Sequence, residues 1–247
     1  MLTSMRGLLA ATVLAGSTLA AAPAFAQDEG AIEISGNAAL VTEYRFRGVD
    51  LSGGDIAIQG GIDAAHSSGF YVGTWGSSLD EDTVGYGHTE LDIYGGWSGD
   101  IAAGVSADVG VLYYMYPNAG PGDFDYIEFY GSVGFALGPA EATVGVAYAP
   151  DQDSLGSTDN IYVYTDLGVG IPNTPVSLSA HLGYTDGFLT FTNNSKAWDW
   201  SIGADFALTE NLSVGVAYVD AEGDFTPGPG NYNFTDSAIV GTLAVSF

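Results

Sequence analysis

Apolar and polar residues alternate with a period of two along nearly the whole chain. Residues 31–47 show it first: Ile32, Ile34 and Leu40 share one parity, while Glu33 and Glu43 share the other. Successive side chains of an extended strand point to opposite faces, so this segment carries one apolar face and one polar face. The pattern predicts a strand with two different environments, and it recurs to the C-terminus.

Twelve segments follow this alternation, and most reach the roughly 9–11 residues that a tilted strand needs to cross a bilayer. The even number and the lengths predict an all-β fold, a transmembrane antiparallel up-and-down β-barrel of about 12 strands. The predicted strands are 31–47, 55–66, 69–78, 88–98, 101–116, 124–138, 140–149, 160–171, 176–185, 197–207, 211–220 and 236–247.

The connections between these strands alternate in length. Those after the first, third and every later odd-numbered strand are mostly long, and the intervening ones are short, such as Ser67–Ser68 and Gly99–Asp100. Outer-membrane barrels have short periplasmic turns and longer outer loops. A soluble β-sandwich also has period-two strands, but its fold does not predict alternating long and short connections.

Composition excludes several classes of protein. The chain has 30 Asp+Glu against 4 Lys+Arg, a formal net charge of −26, and no cysteine. A charge this negative repels phosphate backbones, which excludes a nucleic-acid partner. The absence of cysteine excludes disulfides, thiol catalysis and cysteine-ligated zinc. With 47% hydrophobic residues, the chain is also too apolar for disorder.

The first 26 residues resemble a targeting segment. Arg6 gives a positive start, an apolar stretch follows, and Ala24-Phe25-Ala26 fits a cleavage site. We therefore expect a signal peptide at 1–26 and a single outer-membrane β-barrel domain at 27–247; a short N-terminal anchor is the alternative. Such a protein is exported to the bacterial outer membrane.

Aromatic residues recur near both ends of the apolar faces, as in the two girdles that flank the lipid-facing band of outer-membrane barrels. The alternative is that these are ordinary core positions of a soluble sheet. The terminal Phe247 also fits the assembly signal by which the barrel-assembly machinery recognises a last strand. The predicted girdle residues are Tyr44, Phe46, Trp97, Tyr113, Phe135, Tyr148, Tyr184, Phe206, Tyr218 and Phe247.

The stretch VTEYRFRGVDLS, Val41–Ser52, contains the run Tyr44, Arg45, Phe46, Arg47 and Gly48. It resembles the early part of the TorF-type porin family of proteobacterial outer-membrane proteins, and the following segment up to Ser78 is similar too. Val49-Asp50-Leu51 departs from the more polar stretch of the family. The resemblance implies an outer-membrane barrel with a pore, and it implies no particular substrate.

The polar parity is assigned to the lumen, where acidic residues far outnumber basic ones. Such a lining favours cations and repels anions. The sequence thus predicts a porin-like channel for passive diffusion of small hydrophilic solutes, cation-preferring, with a narrow water-filled passage; the alternative is a closed structural or surface-interaction barrel. The pore-lining candidates are Glu43, Arg45, Arg47, Asp55, Asp63, Glu90, Asp92, Asp108, Glu128, Asp166, Asp199 and Asp205.

The few basic residues allow two interpretations. Arg45 and Arg47 lie two residues apart on one predicted strand face near its outer end. They either face acids across the lumen and form a charge-separating constriction, or they hold acidic neighbours together by bidentate hydrogen bonds. Replacing both with Gln separates the two.

Sequence motifs for catalysis and cofactors are missing. The chain contains no G-x-S-x-G, P-loop, dinucleotide or HExxH motif, so we expect no catalytic residues, no cofactor and no resident metal. Acidic clusters in the loops, such as Asp80-Glu81-Asp82, are either solvated or bridge to lipopolysaccharide through divalent cations. The expected partners are therefore outer-membrane lipid, lipopolysaccharide, the assembly machinery, and small solutes or cations.

Overall fold

The computed structural model describes residues 32–83, 85–120, 122, 124–225 and 233–247. The predicted signal peptide at 1–26 lies outside these residues and stays a prediction.

Fourteen strands follow one another along the described chain, and twelve of them close into one antiparallel barrel. The predicted fold, an all-β up-and-down barrel of about 12 strands, is confirmed. The strands are β1 Ile32–Val41, β2 Arg45–Phe46, β3 Val49–Asp50, β4 Ala57–His66, β5 Phe70–Ser78, β6 Thr89–Ala102, β7 Val105–Met115, β8 Tyr126–Leu137, β9 Ala140–Gln152, β10 Thr158–Gly170, β11 Val176–Gly187, β12 Thr192–Ala207, β13 Leu212–Phe225 and β14 Ala238–Ser246.

Every barrel strand pairs with its neighbours in sequence, apart from the short pair β2–β3, which forms a separate sheet. The barrel closes where β1 meets β14, with Ala38 opposite Val245 and Leu40 opposite Leu243. Closure gives every barrel strand a partner on both sides, so the wall has no edge strand.

The two ends of the barrel differ. Residues 42–56, 79–88, 116–125, 153–157, 188–191 and 226–237 connect strands at one end, which we call the loop end. Residues 67–69, 103–104, 138–139, 171–175 and 208–211 connect them at the other end, the turn end, where β1 begins and β14 stops. Four of the six loop-end connections are longer than every turn-end connection, but 153–157 and 188–191 are no longer than 171–175 and 208–211, because the strands beside them extend further than predicted.

The apolar parity faces outward. Ile34 and Ile239 are 72% and 73% exposed, although both are large aliphatic residues. The acidic parity faces the lumen, where Glu90 and Glu128 are buried. In β5 both parities carry large apolar side chains; Phe70 and Val72 are exposed on the outside, whereas Tyr71 and Trp75 pack inside. Burial is therefore inverted relative to a soluble barrel.

The predicted first strand, 31–47, is too long. β1 ends at Val41, and the chain turns so that residues 44–52 lie inside the lumen before β4 begins. The side chain of Thr42 ends the ladder with β14, because its Oγ1 accepts a hydrogen bond from the backbone of Gly241 at 2.8 Å. Period-two alternation continues past this point because β2 is also extended, which hides the change of direction in the sequence.

Helical structure in the described residues consists of two single 3₁₀ turns, Asp153–Leu155 and Phe188–Thr190. Neither of these turns is long and apolar enough to be a membrane-spanning helix, and the described residues contain no such helix.

Candidate functional site: a hairpin across the lumen

The chain between β1 and β4 forms a hairpin inside the barrel. β2 and β3 pair through Arg45 with Asp50 and Phe46 with Val49. The two residues between them, Arg47 and Gly48, have φ values of 49° and 81°. Positive φ at both central positions is the requirement of a type I′ hairpin turn. We call residues 44–52 the luminal hairpin; each of them is buried.

The luminal hairpin is held mainly by side chains. Its strands are not part of the barrel ladder. Two backbone hydrogen bonds connect it to loops: Asp50 donates to the carbonyl of Phe234 at 2.7 Å, and Asp80 donates to that of Leu51 at 2.9 Å. A segment without a continuous ladder to the wall can move without breaking the barrel.

Arg47 at the hairpin tip reaches the far wall. Its Nη2 donates to both carboxylate oxygens of Glu128 on β8, at 2.7 and 2.8 Å. The guanidinium carbon also lies 4.3 Å from the ring centre of Tyr162 on β10 and 4.7 Å from that of Phe46. Burial lowers the pKa of Arg47, while the adjacent Glu128 carboxylate raises it with further contributions from Tyr114, Tyr126 and Tyr162, and the net pKa is raised. The guanidinium is therefore charged and desolvated between two rings and a carboxylate.

Other hairpin residues contact different parts of the wall. The hydroxyl of Tyr44 donates to Glu90 Oε1 on β6 at 3.0 Å, and its ring packs edge-on against Trp75 on β5. The ring of Phe46 packs edge-on against Tyr114 on β7 at 5.9 Å. Together with Arg47, these contacts join the hairpin to β5, β6, β7, β8 and β10.

Arg45 serves the hairpin itself. Its Nη1 donates to the carbonyl of Gly48 at 3.0 Å and to that of Phe234 at 3.3 Å. Its other terminal nitrogen pairs with Glu43. Burial raises the pKa of Glu43, Arg45 opposes this rise, and the nearby Asp50 adds to it. Arg45 thus ties the turn to the strand before it, whereas Arg47 ties it to the wall.

The luminal hairpin lies within a fully packed layer of the barrel. Inward-facing side chains at this level are buried on all twelve barrel strands, one example from each being Val41, Ala57, Ser77, Glu90, Tyr114, Glu128, Ala149, Tyr162, Thr185, Asp199, Ala221 and Val240. A continuous water-filled passage would leave wall or hairpin side chains exposed along its path. Among the described residues, the lumen is therefore closed at this level in this conformation.

Aromatic residues from four loops pack over the hairpin at the loop end. The ring of Phe191 lies 6.4 Å from that of Tyr86 and 5.6 Å from that of Phe234. Tyr86 in turn packs against Tyr116 at 4.4 Å. Burial raises the pKa of the Tyr86 hydroxyl above its ordinary value, with a further contribution from Glu90. The loop end is thus closed by a small hydrophobic core.

The turn half of the lumen is more open, and we call it the vestibule. Its inward positions are rich in small residues of intermediate exposure, including Ser106, Ser132, Gly168, Ser177 and Gly203. A Cβ added to Gly168 would meet no atom within 4 Å. The vestibule therefore leads from the turn end to the packed layer.

Tyrosines in the lumen lie flat against glycines of adjacent strands. A Cβ added to Gly73 would lie 2.5 Å from the ring of Tyr94, and one added to Gly96 would lie 2.7 Å from the hydroxyl of Tyr71. The same relation joins Gly110 to Tyr130. Aromatic side chains of this kind cover the glycines and fix strand register. Two of these hydroxyls donate to vestibule acids: Tyr94 to Asp63 at 2.6 Å and Tyr71 to Asp108 at 2.7 Å.

His181 lies between two carboxylates beside the hairpin tip. Its Nδ1 is 2.6 Å from Asp166 Oδ1, and its Nε2 is 3.0 Å from Asp199 Oδ1. The hydroxyl of Tyr162 lies 2.7 Å from the same Nε2. An imidazolium donates from both ring nitrogens, and this geometry suits that form.

The predicted luminal acids mostly lie on the inner wall. Glu90, Asp92 and Glu128 belong to the packed layer, and Asp92 Oδ1 has no hydrogen-bond partner among the described residues. Asp63, Asp108, Asp166, Asp199 and Asp205 also lie on the inward parity of their strands. That these residues line a conducting pore stays a prediction.

Four candidates occupy other places than predicted. Glu43 lies in the turn between β1 and β2 and not on a barrel strand. Asp55 lies in the loop before β4 and is exposed, so its assignment to the lumen wall is wrong. Arg45 and Arg47 lie within the lumen, but on the hairpin instead of on the wall. The reason is the inward turn after Val41, which moves all later residues of that segment out of β1.

Two of the predicted girdle residues are also wrong. Tyr44 and Phe46 are 4% and 9% exposed and belong to the interior. The others lie on the outer parity: Tyr113, Phe135, Tyr148, Phe206, Tyr218 and Phe247 are exposed, and Trp97 and Tyr184 pair with outward Val109 and Val163. Their role at a membrane interface stays a prediction.

Sequence reasoning missed the luminal hairpin and Tyr162. The signal for the hairpin was Arg47-Gly48 between two short extended pairs, because glycine at the second central position is common in a type I′ turn. An arginine at the first position, where Asn or Asp is usual, concealed it. Tyr162 carries no sequence signal beyond its position on the luminal parity of its strand.

The architecture places the molecule among closed β-barrels with an apolar exterior, a polar lumen and an internal hairpin. The chain belongs to the family described as "Bacterial protein of unknown function (Gcw_chp)", whose profile matches residues 25–247. A search of curated proteins finds no match. The TorF-type resemblance stays a prediction.

Solved structures with the same fold include outer-membrane porins. The NanC porin shares 7% identity at a TM-score of 0.56, with 87% of this chain and 98% of that chain covered. The KdgM porin, in complex with a disordered oligogalacturonate, shares 6% identity at a TM-score of 0.56, with 87% and 97% covered. At these identities the likeness concerns the fold alone.

Proposed function

We propose that the protein is an outer-membrane channel of the porin type, closed by the luminal hairpin and opened when that hairpin leaves the packed layer. The observation that carries the proposal is a closed barrel with an apolar exterior, crossed inside by a hairpin outside the wall ladder. An apolar exterior fits a lipid environment, and strand closure satisfies the backbone as a bilayer requires. The fold shared with porins supports this placement.

The solutes are small, hydrophilic and preferentially cationic. Acids such as Asp63, Asp108 and Asp205 line the vestibule, and no Lys or Arg lies on its described wall. A narrow space lined by one sign of charge concentrates counter-ions and repels ions of its own sign. Oligogalacturonate, the solute in the KdgM structure, is a polyanion, and an acidic lumen disfavours such a molecule.

Further partners follow from this location. Phe247 at the end of the last strand suits recognition by the barrel-assembly machinery. The acidic loops at the loop end suit bridging to lipopolysaccharide through divalent cations, since hard cations prefer clustered oxygens. Cleavage of residues 1–26 on export belongs to the same proposal.

A second candidate is a closed structural or surface-interaction barrel without channel activity. The packed layer favours it, because a lumen closed by Glu128, Tyr162 and their neighbours conducts nothing unless the hairpin moves. The two candidates therefore differ in whether the hairpin moves.

A reversible covalent lock on the hairpin decides between them. A Cβ added to Gly48 would lie 2.6 Å from that of Ala221. Because the native chain has no cysteine, the double variant Gly48→Cys/Ala221→Cys contains one defined pair. Disulfide geometry needs Cβ atoms about 3.5–4.5 Å apart, so the hairpin must shift by about 1 Å to form it. Refolded 27–247 carrying this pair is studied in planar bilayers with and without reductant.

The proposed gate predicts silence when the pair is oxidised and cation-selective steps after reduction. Ala221→Cys alone is the control, and its conductance should not respond to reductant. Steps that persist unchanged in the oxidised pair would exclude the hairpin as the gate. Silence in the native protein and in both redox states, with intact heat-modifiable migration, would support the closed barrel.

A further inference from the structure

The wall that receives Arg47 has the composition of a receptor for an organic cation. Glu128 supplies a carboxylate, and the ring of Tyr162 supplies a face for the planar guanidinium. Tyr114 donates to Glu128 Oε1 at 3.4 Å and stacks on Tyr126 at 4.3 Å. We call these four residues the guanidinium site. A carboxylate beside aromatic rings is the usual protein environment for guanidinium and ammonium groups.

The guanidinium site exists independently of the hairpin, since its residues belong to barrel strands. Tyr114 on β7 is opposite Tyr126 on β8, and Glu128 is opposite Leu112 in the same ladder. Tyr162 is fixed by its neighbours on β9 and β11, Ala147 and Thr185. The ladder holds these backbones in place whether or not Arg47 occupies the site.

The hold of Arg47 on this site is incomplete. Only Nη2 of the guanidinium has hydrogen-bond partners; Nε and Nη1 have none among the described residues, and both are buried. Arg47 also adopts a φ of 49°, a region that a residue with a side chain rarely occupies. A free cation is not attached to the hairpin backbone, so neither the orientation of its N–H groups nor the φ of Arg47 restricts it.

Access and charge favour cations as occupants. The vestibule leads from the turn end to the packed layer and is lined by Asp63, Asp108, Asp166 and Asp205. With Arg47 removed, Glu128 would face Asp92 and Glu90 in a buried layer where Arg45 is already paired with Glu43. That charge imbalance attracts a cation and repels an anion.

We infer that the guanidinium site binds organic cations with a guanidinium or ammonium head, and that Arg47 is a tethered occupant which keeps the site filled while the hairpin is in place. As a statement about the transported solute, the inference rests on the proposed channel. As a statement about binding, it rests on the geometry of Glu128 and Tyr162.

Competition between Arg47 and a free ligand determines whether the native protein binds that ligand at the guanidinium site. A tethered group has an effective concentration on the order of millimolar or higher, so a free ligand at lower concentration does not displace it. Removing the Arg47 side chain removes the competitor and leaves the four wall residues unchanged. The variant Arg47→Ala should therefore bind free guanidinium compounds that the native chain ignores.

The experiment is chemical rescue with methylguanidinium chloride at concentrations on the order of millimolar. These match the effective concentration of the tethered Arg47 side chain in the native protein. Heat-modifiable migration and tryptophan fluorescence follow unfolding of refolded native, Arg47→Ala and Arg47→Ala/Glu128→Gln barrels. Sodium chloride at equal ionic strength controls for general salt effects. Methylguanidinium should raise the unfolding temperature of Arg47→Ala and bind it about tenfold more tightly than the double variant, as expected for a hydrogen bond to a charged group.

The outcomes are distinct. If Arg47→Ala folds but methylguanidinium stabilises it no more than sodium does, or no more than the double variant, the site is excluded. Folding of Arg47→Ala only in the presence of methylguanidinium would support it. Where Arg47→Ala folds under neither condition, Arg47→Gln takes its place, because its neutral side chain leaves the site without a tethered cation: stabilisation by methylguanidinium supports the site, and no stabilisation excludes it.

A second measurement separates binding from transport. Methylguanidinium permeation through Arg47→Ala barrels is compared with that of sodium in planar bilayers. Binding without any conductance would contradict the proposed channel and leave the guanidinium site standing. Conductance without methylguanidinium binding would do the reverse.

Discussion

Gly48 at the hairpin tip lies against Ala221 on β13, so that a Cβ added to the glycine would be 2.6 Å from the Cβ of the alanine. The same added atom would lie 3.1 Å from the Cβ of Asp199 on β12. The hairpin thus spans the lumen from the wall near Trp75 to β12 and β13. Two features require glycine at position 48: its φ of 81°, and the close approach of the wall.

Gly48→Ala should destabilise the hairpin through both effects. The positive φ costs a residue with a side chain about 1–2 kcal/mol, and the overlap with Ala221 adds to it. We expect a lower unfolding temperature and, if the hairpin is the gate, a higher open probability in planar bilayers.

Gly85→Ala is the matched control for this prediction. Gly85 has a φ of 82°, and a Cβ added there would meet nothing within 4 Å. It therefore shares the backbone cost of Gly48→Ala without the contact. Equal losses in the two variants would show that the hairpin tip does not press against the wall.

The barrel was predictable from sequence because its cause is local. Outward Ile34 and inward Glu33 are neighbours in the chain, and alternation of this kind needs no knowledge of distant residues. Strand bounds were close for the same reason: the predicted segment 55–66 became Ala57–His66, and 176–185 became Val176–Gly187. Loop lengths agree with the barrel end for most connections, since four of the six at the loop end are longer than any at the turn end.

The hairpin was not predictable in the same way, because its position depends on contacts distant in sequence. Arg47 is 81 residues from Glu128, and Arg45 is 189 residues from Phe234. Extended backbone at Arg45 and Phe46 resembles a continuation of β1 whichever way the chain turns. Of the two interpretations of the arginines, the contacts of Arg47 with Glu128 and of Arg45 with Glu43 fit the hydrogen-bonded one, and a charge-separating constriction stays a prediction.

Luminal tyrosines give a prediction about the wall. A Cβ added to Gly110 would overlap the hydroxyl of Tyr130, which is hydrogen-bonded to Tyr71. Gly110→Ala should push the ring away and lower the free energy of unfolding by about 1–3 kcal/mol, the usual cost of overpacking. Urea unfolding in lipid vesicles measures the change.

Gly168→Ala tests the other side of the same argument. Gly168 also faces the lumen, but a Cβ there would meet no atom within 4 Å. Replacing a strand glycine with alanine in open space should be neutral or stabilise by about 0.5–1 kcal/mol. A loss as large as that of Gly110→Ala would mean that the vestibule is packed and that the tyrosine contacts are not the cause.

The lipid-facing assignment is tested by two adjacent residues. Val216 is exposed on the outer face at mid-strand, and Ala217 points into the lumen. An arginine on the lipid face near the bilayer midplane costs about 2–4 kcal/mol, whereas luminal positions are tolerant. Val216→Arg should therefore lower stability in vesicles more than Ala217→Arg, whose charge lies on the acidic side of the wall. The opposite order would reverse the sidedness of the barrel.

The C-terminal residue completes the closure of the barrel. Gly36 donates to the carbonyl of Phe247 at 2.8 Å, and Phe247 donates back to that of Gly36 at 3.0 Å. The Phe247 ring covers the glycine, since a Cβ added to Gly36 would lie 2.8 Å from it. These contacts extend the β1–β14 seam by one residue pair beyond Asn37 and Ser246.

Deleting Phe247 should therefore impair folding more than truncating another outward residue of β14. Deletion removes two backbone hydrogen bonds, each contributing about 0.5–1.5 kcal/mol, together with the ring on Gly36. Val245→Ala is the control, because it shortens an outward side chain and keeps the seam hydrogen bonds with Ala38. Refolding yield into vesicles, read by heat-modifiable migration, compares the two in vitro, where no assembly machinery is present.

In bacteria, Phe247→Ala should reduce the amount of barrel in the outer membrane further than its refolding yield alone explains, because the ring is also the proposed recognition signal. Equal losses in the two settings would assign Phe247 to the seam and remove the assembly machinery from the list of partners.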